Sequence, residues 1–311
     1  MRIGWLTYLD PFVFSGGGEL HNRLLIEVGR GRGHQILVSS WLRGRPQRMM
    51  RRVRLTRRVP VDWSADVFVL ANIRNHGPRS DRFPEAIVDR ALATGRAVVL
   101  ADAWVDACAL DLPCDGDRER CPVTCSRAFA NKLYGAARVA VFVSPMQRRL
   151  IESVIDVPLP DAVIYSRPQV DVSLFRPLGI ERDIDVLYVG TIKKAKGYEN
   201  LLERFGPDRL TFVGPNCLGE PIQGTWLGPI AHEKLPPIYN RARTFAHLPE
   251  WIEPMGRTVV EAALCGCELV LNDRVGVTSY EWQDWRDPDR LATNANRFWV
   301  EFEERFGQTA G

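Results

Sequence analysis

Short apolar runs alternate along the chain with segments in which apolar positions recur every three or four residues. The first pattern is that of buried strands, and the second is that of helices with one covered face. Ile3–Tyr8 reads as a strand, followed by a loop over Asp10–Gly18 that ends in Ser15-Gly16-Gly17-Gly18. A helix over Glu19–Val28 then carries Leu20, Leu24, Leu25 and Val28 on one side, and Gly29, Gly31 and Gly33 end it. Gln35–Ser39 begins the next strand. Val67–Ala71, Ala97–Ala101 and Val139–Val143 are apolar throughout, as strands covered on both faces are, with helices over Ala86–Thr94 and Met146–Ile155 between them.

A second series starts near Asp185. It runs strand Val186–Gly190, helix Tyr198–Phe205, strand Leu210–Gly214, helix Leu235–Ala242, strand Thr244–Leu248, helix Thr258–Leu264 and strand Glu268–Leu271. Ser166–Arg182, with its prolines and charges, reads as the linker. Strand–helix alternation favours parallel sheets with helices on both faces. The expected class is therefore α/β, with two Rossmann-like domains facing a cleft: an N-terminal domain over 1–178 and a C-terminal domain over 179–289. Arg290–Phe306 is amphipathic, with Phe298, Trp299, Phe302 and Phe306 on one side, so residues from about 290 to 311 are expected to pack back on the N-terminal domain.

Composition narrows the setting. Apolar residues make up 45% and charged residues 25% of the 311, and the net charge is only +3. That balance is ordinary for a globular protein and does not by itself call for a polyanionic partner. The longest apolar runs are strand-length, and MRIGWLTYLD lacks a signal-peptide core, so a cytoplasmic location is expected, with peripheral membrane contact the alternative.

Candidate chemistry concentrates in Glu253-Pro254-Met255-Gly256-Arg257-Thr258-Val259-Val260-Glu261. One carboxylate precedes a strand-to-helix turn, and the other lies about one turn into the helix. Gly256 lets the backbone approach a ligand, and the free amides of a helix start attract anions. A carboxylate accepts from two hydroxyls at once. An anion site flanked by two hydroxyl-binding groups matches a sugar, a diphosphate and a ribose.

Over roughly the whole chain, and most strongly over Gly228–Gly276, the sequence resembles the retaining glycosyltransferases of family four, whose fold is called GT-B. Leu235-Pro236-Pro237-Ile238-Tyr239-Asn240, Pro249-Glu250-Trp251-Ile252-Glu253 and Glu261-Ala262-Ala263-Leu264-Cys265-Gly266 carry the likeness. The resemblance implies that Glu253 contacts the transferred sugar, that Glu261 holds the ribose, and that Met255, Gly256, Arg257 and Thr258 line the sugar and phosphates. It also implies Lys196 on the diphosphate. The family's Arg position is Thr191 here, which leaves Lys193 or Lys194 to reach the same phosphates. Gly17 and Gly18 match the family's Gly-Gly loop after the first strand, which is followed by a Gly-His pair, here Gly33-His34. The implied reaction retains configuration with no metal or other cofactor required for catalysis, a UDP- or GDP-sugar being the co-substrate. Where some relatives have a His-Asp pair this chain has Ala101-Asp102, which makes Asp102 a candidate on the acceptor side. These two departures support an alternative: a nucleotide- or nucleic-acid-binding GT-B protein without transfer activity.

Two further segments carry chemistry of their own. Cys108, Cys114, Cys121 and Cys125 can supply the four thiolates of a structural zinc site, although their spacing lacks tight C-x2-C pairs. Disulfides and free thiols are the competing readings. Cys217, Cys265 and Cys267 read as small core residues. Between Arg43 and Arg58 stand eight Arg and no Asp or Glu. A solvated loop, an anionic membrane surface and DNA phosphates are the readings for this run, so the acceptor is expected to be a lipid carrier, a saccharide or modified DNA. The five His, His21, His34, His76, His232 and His247, form no ligand pair at helical spacing.

Overall fold

The computed structural model describes residues 1–42, 60–73, 83–101 and 127–307. The arginine run Arg43–Arg58, Asp102 and the four clustered cysteines Cys108, Cys114, Cys121 and Cys125 lie outside these residues. The described chain divides into two compact units, residues 1–167 with 294–307, and residues 168–293.

The first unit is built on six parallel strands, β1 (Arg2–Leu9), β2 (Gln35–Leu42), β3 (Val67–Ala71), β4 (Ala97–Ala101), β5 (Val139–Phe142) and β6 (Ala162–Tyr165), in the order β2-β1-β3-β4-β5-β6. Every residue of β3 and β5 is buried, the consequence of helices covering a parallel sheet. The helices of this unit are α1 (Gly17–Gly31), α2 (Glu85–Ala93), α3 (Arg127–Ala136) and α4 (Pro145–Val154). Ser144 caps α4 by accepting from the Gln147 amide, with Pro145 at the first helical position.

The last helix, α9 (Pro288–Gly307), begins in the second unit and ends in the first. Its aromatic face enters the first unit's core: Phe298, Trp299 and Phe302 are fully buried with Ile3, Trp5, Leu25 and Ile26. Trp299 donates its indole N–H to the Leu25 carbonyl at 2.8 Å. The ring lies so close to α1 that a Cβ on Gly29 would stand 2.3 Å from it. Glycine is required there by the close approach of the two helices.

The second unit has five parallel strands, β7 (Ile184–Val189), β8 (Leu210–Val213), β9 (Thr225–Trp226), β10 (Ala242–His247) and β11 (Glu268–Leu271), in the order β11-β10-β7-β8-β9. Side chains along β7 alternate between two apolar clusters, Leu187 and Val189 in one, Val186 and Tyr188 in the other. That period of two is the mark of a sheet covered on both faces. Helices α5 (Tyr198–Phe205), α6 (Leu235–Arg241), α7 (Arg257–Leu264) and α8 (Gln283–Arg286) complete the unit. The chain passes from β7 to β8 and β9 on one side, then returns to lay β10 on the other side of β7. In open α/β sheets, such a reversal leaves a crevice at the carboxyl ends of the two strands where ligands bind.

Trp299 joins α9 to α1 and the first sheet through burial and one hydrogen bond. Trp299→Ala is expected to lower the unfolding free energy by about 3–5 kcal/mol, with Trp299→Phe costing less. Denaturant unfolding of the two variants measures both.

Candidate functional site

The two strands at the reversal, β7 and β10, each lead into a loop, and the loops are laced together. After β7 the chain runs through Gly190 and Thr191 into a 3-10 turn, Lys194–Lys196, closed by Gly197 at φ +85°. A Cβ at Gly197 would stand 1.9 Å from the Leu248 carbonyl, so only glycine lets this turn dock on the end of β10. The Ala195 carbonyl accepts from the amides of Glu250 and Trp251, at 3.1 and 3.2 Å. The basic turn is thereby fixed against the loop that carries Glu253.

Glu253 is pinned through its backbone. Its amide donates to the Arg274 carbonyl at 2.9 Å, and its carbonyl accepts from Gly276 at 2.7 Å. Lys196 donates from Nζ to Glu253 Oε2. The two side chains are 19% and 17% exposed, so the pair is reachable yet largely shielded from water. The imidazole of His247, the last residue of β10, has Nε2 at 3.6 Å from the same oxygen. Burial works to raise the Glu253 pKa, but the Lys196 ammonium and His247 outweigh it and hold the carboxyl well below its ordinary range. Trp251, 8% exposed, lies under both neighbouring cations, with Lys196 Nζ 4.4 Å and Lys193 Nζ 4.6 Å from its ring centroid. Lys193 and Lys196 therefore share one aromatic platform. Lys194 turns elsewhere and pairs with Glu199 at 2.7 Å on the surface.

After Glu253, Gly256 adopts φ +87° at the N-cap of α7. A Cβ there would meet Val275 at 2.7 Å. With no side-chain cap, the helix keeps its leading amides, those of Arg257 and Thr258 among them, for an anion. Within α7, Glu261 is 1% exposed and fully engaged. Its Oε1 accepts from His232 Nε2 and Arg257 Nε, both at 2.8 Å, and its Oε2 accepts from the Tyr239 hydroxyl at 3.0 Å. Burial opposes its ionisation, while His232 and Arg257 favour it more strongly, and the net shift is downward. Arg257 also donates to the Gln169 carbonyl at 2.8 Å, so its guanidinium faces inward while its backbone opens the helix.

The remaining candidates make contacts of their own. The Thr191 carbonyl accepts from the Tyr188 hydroxyl at 3.0 Å. Gly17 and Gly18 open α1 in the first unit, behind the N-cap Gly16, which likewise gives no side-chain cap. Glu19 folds over that cap closely enough that a Cβ on Gly16 would meet its carboxylate; burial raises its pKa. Cys265 and Cys267 are buried as expected of core residues, whereas Cys217 is exposed, because it lies in the loop after β8 rather than on the strand. Among the described residues, no group of three or more His, Cys, Asp or Glu could hold a metal ion. No helix among them is long and apolar enough to cross a membrane.

His232 and His247 stand against the two glutamates although neither forms a pattern in the sequence. For His247 a signal existed. It closes the strand at the sheet reversal, where side chains reach the crevice. His232 precedes α6 and meets Glu261 only through tertiary packing.

No protein-family model matches the chain, and no curated protein sequence matches it. Its likeness to known proteins is one of fold. Anabaena HepE, solved in complex with UDP and glucose, superposes with a TM-score of 0.58 at 16% identity, covering 98% of this chain and 95% of that one. WaaG, a glycosyltransferase involved in lipopolysaccharide biosynthesis, superposes at 0.61 with 13% identity, covering 99% and 100%. An alpha-glucosyltransferase in complex with UDP and DNA containing an HMU base superposes at 0.56 with 11% identity, covering 99% and 93%. The chain thus has the GT-B fold of glycosyltransferases, in both of its α/β units.

The depressed Glu253 carboxyl sets an acid limb. Because its folded-state pKa lies below the ordinary 4.5, the unfolded chain takes up the proton first on acidification. Its contribution to stability is complete above the unfolded value and is lost as pH falls through the folded one. Glu253→Gln is expected to flatten the fall of unfolding free energy below about pH 4.5, as read by denaturant titrations at stepped pH.

Proposed function

We propose that the chain is a retaining glycosyltransferase that moves a sugar from a UDP- or GDP-sugar to an acceptor hydroxyl. One observation carries the reading. The two loops at the sheet reversal of the second unit bring an ammonium, a carboxylate and an uncapped helix start together. Those groups match the parts of the donor: Lys196 and Lys193 for the diphosphate, Glu253 for the hydroxyls of the transferred sugar, and the amides around Gly256 for the phosphates between. Glu261 lies one turn into the same helix and takes the ribose, exchanging a protein partner for a hydroxyl. That HepE is described with UDP and glucose supports a nucleotide-sugar co-substrate.

Sugar transfer breaks the bond between the anomeric carbon and the diphosphate, and charge grows on the leaving oxygen. Fixed cations beside that oxygen lower the barrier because they need no reorganisation as the charge develops. With Thr191 in the family's Arg position, Lys193 beside Lys196 on Trp251 supplies the second cation. Glu253 orients the sugar and is not assigned as a nucleophile. The acceptor oxygen attacks on the face the diphosphate leaves, and its proton passes to the departing phosphate oxygen. The acceptor is a lipid carrier, a saccharide or modified DNA, and the Arg43–Arg58 run favours an anionic one. Asp102 is placed on the acceptor side by the family resemblance, and the four clustered cysteines remain a proposed structural zinc site.

Release of nucleoside diphosphate from a panel of UDP- and GDP-sugars tests the reading. Lys196→Ala is expected to lower turnover by about 100-fold or more. Glu261→Gln, which keeps the side chain's size, is expected to weaken UDP binding by about tenfold. A folded wild-type chain that turns over no donor, or a Glu261→Gln variant with unchanged UDP affinity, contradicts the assignment.

A further inference from the structure

His247 ends β10 with a side chain 4% exposed, stacked on Tyr188 at 5.8 Å between centroids and 21° between planes. Neither ring nitrogen has a hydrogen-bond partner among the described residues. A buried imidazole in that condition is costly to keep, and a group so placed calls for an explanation. The ionisable groups facing it are the Tyr188 hydroxyl, which donates to the Thr191 carbonyl, the Glu253 carboxylate and, across that carboxylate, Lys196.

The two groups that the proposed reaction needs for different parts of the donor are bound to each other here. Lys196 must reach phosphate, and Glu253 must face sugar hydroxyls, yet Lys196 Nζ donates to Glu253 Oε2. A diphosphate that draws the ammonium away would strip a mostly buried carboxylate of its counter-charge. We infer that His247 is a positioning residue that takes over Oε2 of Glu253 when Lys196 leaves it. Nε2 is 3.6 Å from that oxygen, and a movement of roughly 0.5 Å brings it to hydrogen-bond length. The tautomer with a proton on Nε2 suffices. Stacking on Tyr188 fixes the ring plane, so the exchange swaps one donor for another without turning the carboxylate. The trigger rests on the donor-binding reading, but the exchange itself can be measured without a ligand.

A double-mutant cycle on the full chain, followed by thermal unfolding in the absence of nucleotide, makes the measurement. Lys196→Met removes the ammonium and keeps the stem. His247→Phe keeps the ring against Tyr188 and removes the nitrogens. His247→Phe is expected to lower the melting temperature by about 2–4 °C more in the Lys196→Met background than in the wild type. His247→Gln, which restores an N–H donor, is expected to recover part of that loss. Additive shifts, or a Gln variant no better than Phe, overturn the inference. Titration with UDP and with UDP-glucose then separates the two claims. A wild type that binds neither contradicts the donor reading and leaves the cycle to decide the exchange. A wild type that binds both, with His247→Phe weakening UDP and UDP-glucose equally, overturns the role of His247 toward the sugar-facing carboxylate.

Discussion

Close backbone contact between two loops is the constraint on which the second unit's site depends. Gly197 sits against the Leu248 carbonyl, and Ala195 receives two amides from the segment after it. These contacts bring Lys196 to Glu253, although the two are far apart in sequence. Ion pairs taken out of water return little net stability, since desolvation offsets most of the attraction. The Lys196–Glu253 pair keeps the carboxylate ionised despite its burial, and it stands at the carboxyl ends of the two strands flanking a sheet reversal, where ligands bind in open α/β sheets. It is well explained as charge held ready for a ligand that can replace each partner with a better one.

Trp251 extends that argument. Two ammonium groups near one another repel, yet Lys193 and Lys196 both stand over its ring. The π face attracts each cation and reduces their mutual penalty. A diphosphate offers more negative charge than one carboxylate can. The platform thus gathers two ammonium groups at one ring, a setting that suits an anion of higher charge.

Much of this architecture was legible in the sequence because parallel strands covered on both faces are apolar throughout. Val67–Ala71 and Ala97–Ala101 have the limits the pattern gives them, as does the edge strand Glu268–Leu271 despite its exposed first residue. The missed strands are those in which that signal fails. Thr225–Trp226 is two residues long and exposed, and Ala162–Tyr165 is a half-buried edge strand. Arg127–Ala136 keeps an apolar spacing of Ala130, Leu133 and Tyr134, but Gly135 and the cysteine-rich stretch before it obscured the period. In the site, residue type and spacing marked Glu253, Glu261 and Lys196. Of their partners, His247 was open to detection from its place at the end of the strand at the reversal, while His232 reaches Glu261 only through packing. Equally hidden was the difference between Lys193 and Lys194. Only the turn geometry sends one to Trp251 and the other to Glu199.

Glu261 shows how such a site can be both stable and responsive. Its carboxylate accepts three hydrogen bonds at 1% exposure, so its charge is satisfied by the protein's own groups. Tyr239 is deeply buried and Arg257 is tied to the Gln169 carbonyl, so neither is easily displaced. His232 is the partner with freedom. It is 20% exposed and sits at a short 3-10 turn, against the ring of Phe175 at 5.1 Å. Under the proposed function, a ribose hydroxyl at Glu261 competes first with His232. Both glutamates are then held by one firm set of contacts and one exchangeable histidine or lysine. On that pattern the protein stays folded without ligand, and each carboxylate can turn to a hydroxyl without passing through an unpaired state.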